Sequence, residues 1–106
     1  MRIETRLIKD ILNYYYPAQP FRVQYKETTN YVDSADKIIV TISDKEVDIE
    51  QVIKKLKENT CHISVYEQGS IATASENTPC IKIIGCGAEY HEADELRFIE
   101  VRYKKG

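Results

Sequence analysis

Lys37-Ile38-Ile39-Val40-Thr41-Ile42-Ser43-Asp44-Lys45-Glu46-Val47-Asp48-Ile49-Glu50-Gln51-Val52-Ile53-Lys54-Lys55-Leu56 changes its hydrophobic period halfway along. Ile38, Val40 and Ile42 alternate, as on a strand with one face turned inward. Ile49, Val52, Ile53 and Leu56 then recur as on one face of a helix. The short acidic connection 43–48 joins the two, with Asp48 placed as N-cap and Gln51 three residues on as its capping-box partner. Lys54, Lys55 and Lys57 suit the negative pole at the helix end, and Asn59 is a suitable terminator. A strand feeding an amphipathic helix makes this chain an α/β unit rather than a tail, a coil or a repeat.

On the N-terminal side, Ile3, Leu7, Ile8, Ile11, Leu12 and Tyr15 form one stripe at helical spacing, with Arg6, Lys9, Asp10 and Asn13 opposite. Pro17 and Pro20 end that helix, because proline offers no N–H and disfavours helical geometry in the residue before it. Phe21, Val23 and Tyr25 alternate with Arg22, Gln24 and Lys26, the pattern of a half-exposed strand. Turn-forming residues fill 28–30 and 33–36, so strands 21–27 and 37–43 are expected to pair as a hairpin with a long tip. On the C-terminal side, Ile63 and Val65 begin a strand reaching Tyr66, Ile81 and Ile83 mark another, and Leu96–Tyr103 a third. The small, polar segment Gln68–Thr78 predicts a mobile loop.

The order α-β-β-α-β-β-β predicts one α+β domain over residues 1–106: an antiparallel sheet of four to six strands with both helices packed on one face. The other face stays partly open, a place for Tyr25, Tyr66 or Ile39. A second copy in a homodimer, or another partner, is expected to cover it.

Composition narrows the function classes. The chain has 106 residues, 42% hydrophobic and 30% charged, with four glycines and three prolines, which suits a globular domain and not a disordered one. No apolar run approaches the roughly 20 residues that span a bilayer. Met1-Arg2-Ile3-Glu4 carries an acid early, so no signal peptide is expected and the chain reads as cytoplasmic. Net charge is −2 with both signs interspersed. Neither the basic stripe of a nucleic-acid binder nor the acidic excess of a DNA mimic stands out, so nucleic acid is not favoured as a partner. Arg97, Arg102, Lys104 and Lys105 come closest to a basic patch and are the basis of a second alternative reading, a nucleic-acid-binding module.

Reactive residues form no recognisable motif. The odd count of Cys61, Cys80 and Cys86 points to reduced thiols, and with His62 and His91 they lack the close Cys pair of a structural zinc site. Cys86 lies between Gly85 and Gly87 with His91 behind it, the nearest approach to a nucleophile–base pair and the basis of the alternative reading as a small Cys/His enzyme. A tight turn between strands accounts for the same glycines. Glu89, Glu92, Asp94 and Glu95 around His91 match no metal-binding spacing. Neither metal nor cofactor is expected.

Tyr14-Tyr15-Tyr16 ends the first helix in three directions; Tyr15 continues the apolar stripe, leaving Tyr14 and Tyr16 as amphipathic rings for a binding surface. Gln68-Gly69-Ser70 and Thr73-Ala74-Ser75, within the segment 68–77, offer the hydroxyls and backbone donors of a phosphate-holding loop without the glycine spacing of a P-loop or dinucleotide fingerprint. At the hairpin, Thr29-Asn30-Tyr31-Val32-Asp33, followed by Asp36-Lys37-Ile38-Ile39-Val40-Thr41-Ile42, resembles strand pairs in small phage-encoded proteins, some of them anti-CRISPR inhibitors. The resemblance implies a non-enzymatic anti-defence factor that blocks a host protein sterically or sequesters a small nucleotide signal. Its contacts are expected at Tyr14, Tyr16, Asn30, Tyr31, Asp33, Gln68, Ser70, Thr73 and Asn77.

Overall fold

The computed structural model describes residues 2–27, 36–69 and 76–105. The hairpin tip with Asn30, Tyr31 and Asp33, and most of the loop with Ser70 and Thr73, lie outside the described residues. Two helices and seven strands follow in the order α1 (Ile3–Tyr15), β1 (Arg22–Lys26), β2 (Asp36–Ile42), α2 (Ile49–Glu58), β3 (Thr60–Cys61), β4 (Ser64–Glu67), β5 (Cys80–Lys82), β6 (Tyr90–Glu92) and β7 (Leu96–Tyr103). This is a single α+β domain, with β3 and β6 added to the expected order.

Each helix follows from its stripe. Leu7, Ile8, Ile11 and Leu12 of α1 are buried, and the Tyr16 N–H closes the helix on the Leu12 carbonyl at 2.8 Å before Pro17. Asp48 caps α2 by accepting from the Glu50 N–H at 3.0 Å, and Ile49, Val52 and Leu56 point inward. Both helices pack on the sheet face carrying Ile38, Val40 and Ile42 of β2 and Ile99 and Val101 of β7. Burying each such side chain contributes about 1.5–3 kcal/mol, so this layer is where the fold draws its stability.

The main sheet has the order β1-β2-β7-β4. β1 and β2 form the expected antiparallel hairpin, with Val23 opposite Val40 and Tyr25 opposite Ile38. The wholly antiparallel expectation is corrected at the other two pairings, because β7 runs parallel to both β2 and β4. The reason lies in α2: a strand leading into a helix laid on the sheet returns the chain to start its next strand in the same direction. β2, α2 and β4 make that crossover, and β7 inserts between its two strands, a split β-α-β arrangement. A bulge between Asp36 and Lys37 sets the register on β7.

A second, antiparallel sheet, β3-β5-β6, packs against α1 through β5. Its first pairing overturns the expectation of three reduced thiols. Cys61 and Cys80 face each other across β3 and β5 with Cα atoms 5.1 Å apart and are joined by a disulfide; Cys86 is free and exposed. Their separation of 19 residues along the chain gave no hint of this register. His62, at φ +58°, turns the chain from this sheet into β4, a conformation histidine adopts more readily than most residues. Among the described residues no helix is long and apolar enough to cross a membrane.

Candidate functional site

The sheet register decides what lies on the face turned away from the helices. Alternation on β2 puts Lys37, Ile39 and Thr41 there. Their neighbours on β1 are Lys26, Gln24 and Arg22, and on β7 Phe98, Glu100 and Arg102. β4 adds Ser64 beside Phe98 and Tyr66 beside Glu100. Among the described residues, four cations, one carboxylate and two aromatic rings thus share one face of a chain whose net charge is −2.

Glu100 is the hub of this face. It is only 7% exposed, and its carboxylate pairs with Lys37 Nζ at 3.4 Å and with the Arg102 guanidinium, while the Tyr66 hydroxyl donates to it at 3.4 Å. Burial pushes the Tyr66 phenol above its ordinary range, and the charge and hydrogen bond of Glu100 push the same way, against the opposing charge of Arg102. Nε of Arg102 is shielded from solvent and donates no hydrogen bond among the described residues. One carboxylate therefore faces two cations within the cluster, and Arg22 and Lys26 on the outer strand add to the positive excess. Beside the cluster, the Tyr66 and Phe98 rings meet edge to face with centroids 6.3 Å apart and planes at 83°. Ile39 lies at the centre of the face and is 3% exposed.

Of the three residues expected on this face, Ile39 and Tyr66 are there. Tyr25 is not: it stands opposite Ile38 on the helix side, where its hydroxyl donates to Asp36 Oδ2 at 2.6 Å and the Arg2 guanidinium sits 4.2 Å from its ring centre. Arg22, Lys26, Lys37, Phe98 and Glu100 were missed as site residues. Each is an ordinary outward position of its strand; the antiparallel β1–β2 pairing sets Arg22 and Lys26 beside β2, and the parallel pairing of β2 with β7 brings Lys37 beside Phe98 and Glu100.

The other expected contacts scatter. Tyr14 is 65% exposed at the end of α1 and meets Tyr15 edge-on at 5.0 Å, whereas Tyr16 is half-buried against Phe21 at 5.5 Å. Gln68 is exposed just after β4, and the Asn77 carbonyl accepts from Arg97 at 3.2 Å. Tyr14, Tyr15, Asn59, Lys82, Ile84, Gly85 and Gly87 line a cleft of ≈ 270 Å³ between the ends of α1 and α2 and the β5–β6 turn. The structure thus unites one expected tyrosine with the glycine turn. Asn59 braces the floor: its Nδ2 donates to the Lys55 carbonyl at 2.7 Å and to the Tyr15 hydroxyl at 3.3 Å, and its carbonyl accepts from the Lys82 N–H at 2.8 Å.

Cys86 and His91 do not form a pair. Cys86 sits at the exposed tip of the β5–β6 turn between Gly85 and Gly87, both at positive φ, while His91 stands in β6 opposite Ile81. Among the described residues no hydrogen bond links them, and no three His, Cys, Asp or Glu side chains converge as metal ligands would. No family model matches the chain, and neither a curated protein nor a solved structure does.

Proposed function

We propose that this chain is a non-enzymatic binding protein that takes an anionic ligand on the face of its main sheet turned away from the helices. The observation that carries the reading is the placement of Arg22, Lys26, Lys37 and Arg102 on one sheet face whose described residues include a single carboxylate, Glu100, paired with Lys37 and Arg102, in a chain of net negative charge. Such a local excess creates an attractive potential for anions that net charge alone conceals. The two aromatic rings beside it add a surface for a planar group. Holding a ligand in this way requires no nucleophile or proton shuttle.

Capture of a nucleotide-type anion, free or within a short strand, is the form of the anti-defence role that this face supports better than steric blocking of a host protein. A phage or mobile-element origin rests on the hairpin resemblance alone. A cytoplasmic location belongs to the same proposal, and the Cys61–Cys80 disulfide stands against it, since reducing compartments keep thiols apart.

Heparin affinity chromatography at neutral pH tests the reading. A chain of net charge −2 is expected to flow through unless a patch retains it. Retention that is lost on replacing Lys37 and Arg102 together by Gln, with the circular dichroism unchanged, is the expected result. Flow-through of the unaltered protein at low salt overturns the proposal.

A further inference from the structure

We propose that the ligand of this face is single-stranded nucleic acid; the inference rests on the reading of the face as an anion site and adds what must accompany the charge. The two rings make the difference. Tyr66 and Phe98 project from adjacent strands with planes at 83°. Planar groups laid on both rings cannot be parallel to each other. Bases in a duplex are held parallel and paired, whereas those of a single strand splay and stack separately on aromatic side chains.

The spacing of the cations fits the same ligand. Strands in a sheet lie about 4.8 Å apart, so the β1 cations are roughly 10 Å from Phe98 on β7 and roughly 15 Å from Tyr66 on β4. A mononucleotide on one ring would leave the cations of β1 out of reach, while a short single strand reaches both. Lys37 and Arg102, tied to Glu100, stand between as fixed partners for intervening phosphates. Among the described residues this face presents strands side by side, whereas base readout in a duplex groove needs a helix or a two-stranded ribbon that enters it.

The test is fluorescence anisotropy of the full chain with labelled single-stranded DNA and RNA of about ten nucleotides, set against a hairpin duplex of the same length and inorganic polyphosphate of equal charge. Single strands are expected to bind about ten-fold or more tightly than either competitor, with a log–log salt slope of about −2 for roughly three phosphates neutralised. Phe98→Leu and Tyr66→Leu keep an apolar side chain on the sheet, and each is expected to weaken single-strand binding about five-fold or more while leaving polyphosphate binding unchanged. Equal affinity for polyphosphate or duplex, or indifference to both leucine variants, overturns the inference and leaves the anion-binding face standing. Absence of binding to every anionic probe overturns both.

Discussion

Cys61 and Cys80 are cross-strand neighbours that tie β3, which leaves α2, to β5, which packs on α1. The bond closes a loop of 18 intervening residues around β4, and a cross-link of this reach stabilises by about 3 kcal/mol, chiefly by restricting the unfolded chain. Unfolded without reductant, the protein is expected to titrate a single thiol, that of Cys86, and three after reduction. The Cys61→Ser, Cys80→Ser double variant is expected to lose about 3 kcal/mol in urea denaturation. Three titratable thiols in protein purified under air would show that the bond does not form.

Tyr25 and Asp36 couple stability to pH at the alkaline end. Burial is the largest cause of the raised Tyr25 pKa; the hydrogen bond to Asp36 and its charge add to it, and Arg2 opposes them. The folded protein therefore keeps a proton that the unfolded chain releases near the ordinary phenol value of about 10. This contribution is complete below about pH 10 and is lost as pH rises beyond it. Tyr25→Phe is expected to be about 1–2 kcal/mol less stable at neutral pH, with the gap narrowing above about pH 10. Urea titrations across that range check the sign: a gap that widens would contradict the bond.

The helices, the β1–β2 hairpin, β7 and most of the core were legible because each lies within one periodic run. Leu7, Ile8, Ile11 and Leu12 repeat at helical spacing, and Ile38, Val40 and Ile42 alternate, whatever surrounds them. Strand direction was not legible. The step from β2 into α2 fixes no partner for the strand that follows, and nothing local to Leu96–Tyr103 showed that it would insert beside β2. The basic face was hidden for the same reason. Lys37 and Arg102 are 65 positions apart in the chain, and their shared carboxylate, Glu100, makes the C-terminal run look merely mixed in charge. The two-residue β3 and three-residue β6 were too short to show a period.

Tyr103 ties the end of the sheet to the start of α2. Its hydroxyl donates to the Val47 carbonyl at 2.6 Å and accepts from the Ile49 N–H at 3.2 Å, one of the first-turn donors a helix leaves unpaired. Tyr103→Phe removes both bonds while keeping the ring, and is expected to cost about 1–2 kcal/mol. Asp48→Ala removes the side-chain cap one residue before and is expected to cost about 1 kcal/mol. The two bonds serve neighbouring donors, so the double variant should depart from the sum of the single losses, as a denaturation cycle would show.

Glu100 holds the basic face together and also weakens it for an anion, and Glu100→Gln separates these effects. The amide keeps the shape of the side chain but removes the charge that Lys37, Arg102 and Tyr66 face. Stability is expected to fall by about 1–3 kcal/mol, because the two cations lose their shared counter-charge. The Tyr66 phenol should titrate closer to the ordinary value, since burial alone would then hold it up. Affinity for an anionic ligand should rise about five-fold, the effect of one unit charge a few ångströms away in a solvated setting. Calorimetry with polyphosphate and an ultraviolet titration of the phenols read the two outcomes separately. Weaker binding together with a lowered Tyr66 titration would mean that Glu100 aligns Lys37 and Arg102 for the ligand, and that their placement outweighs the charge they gain.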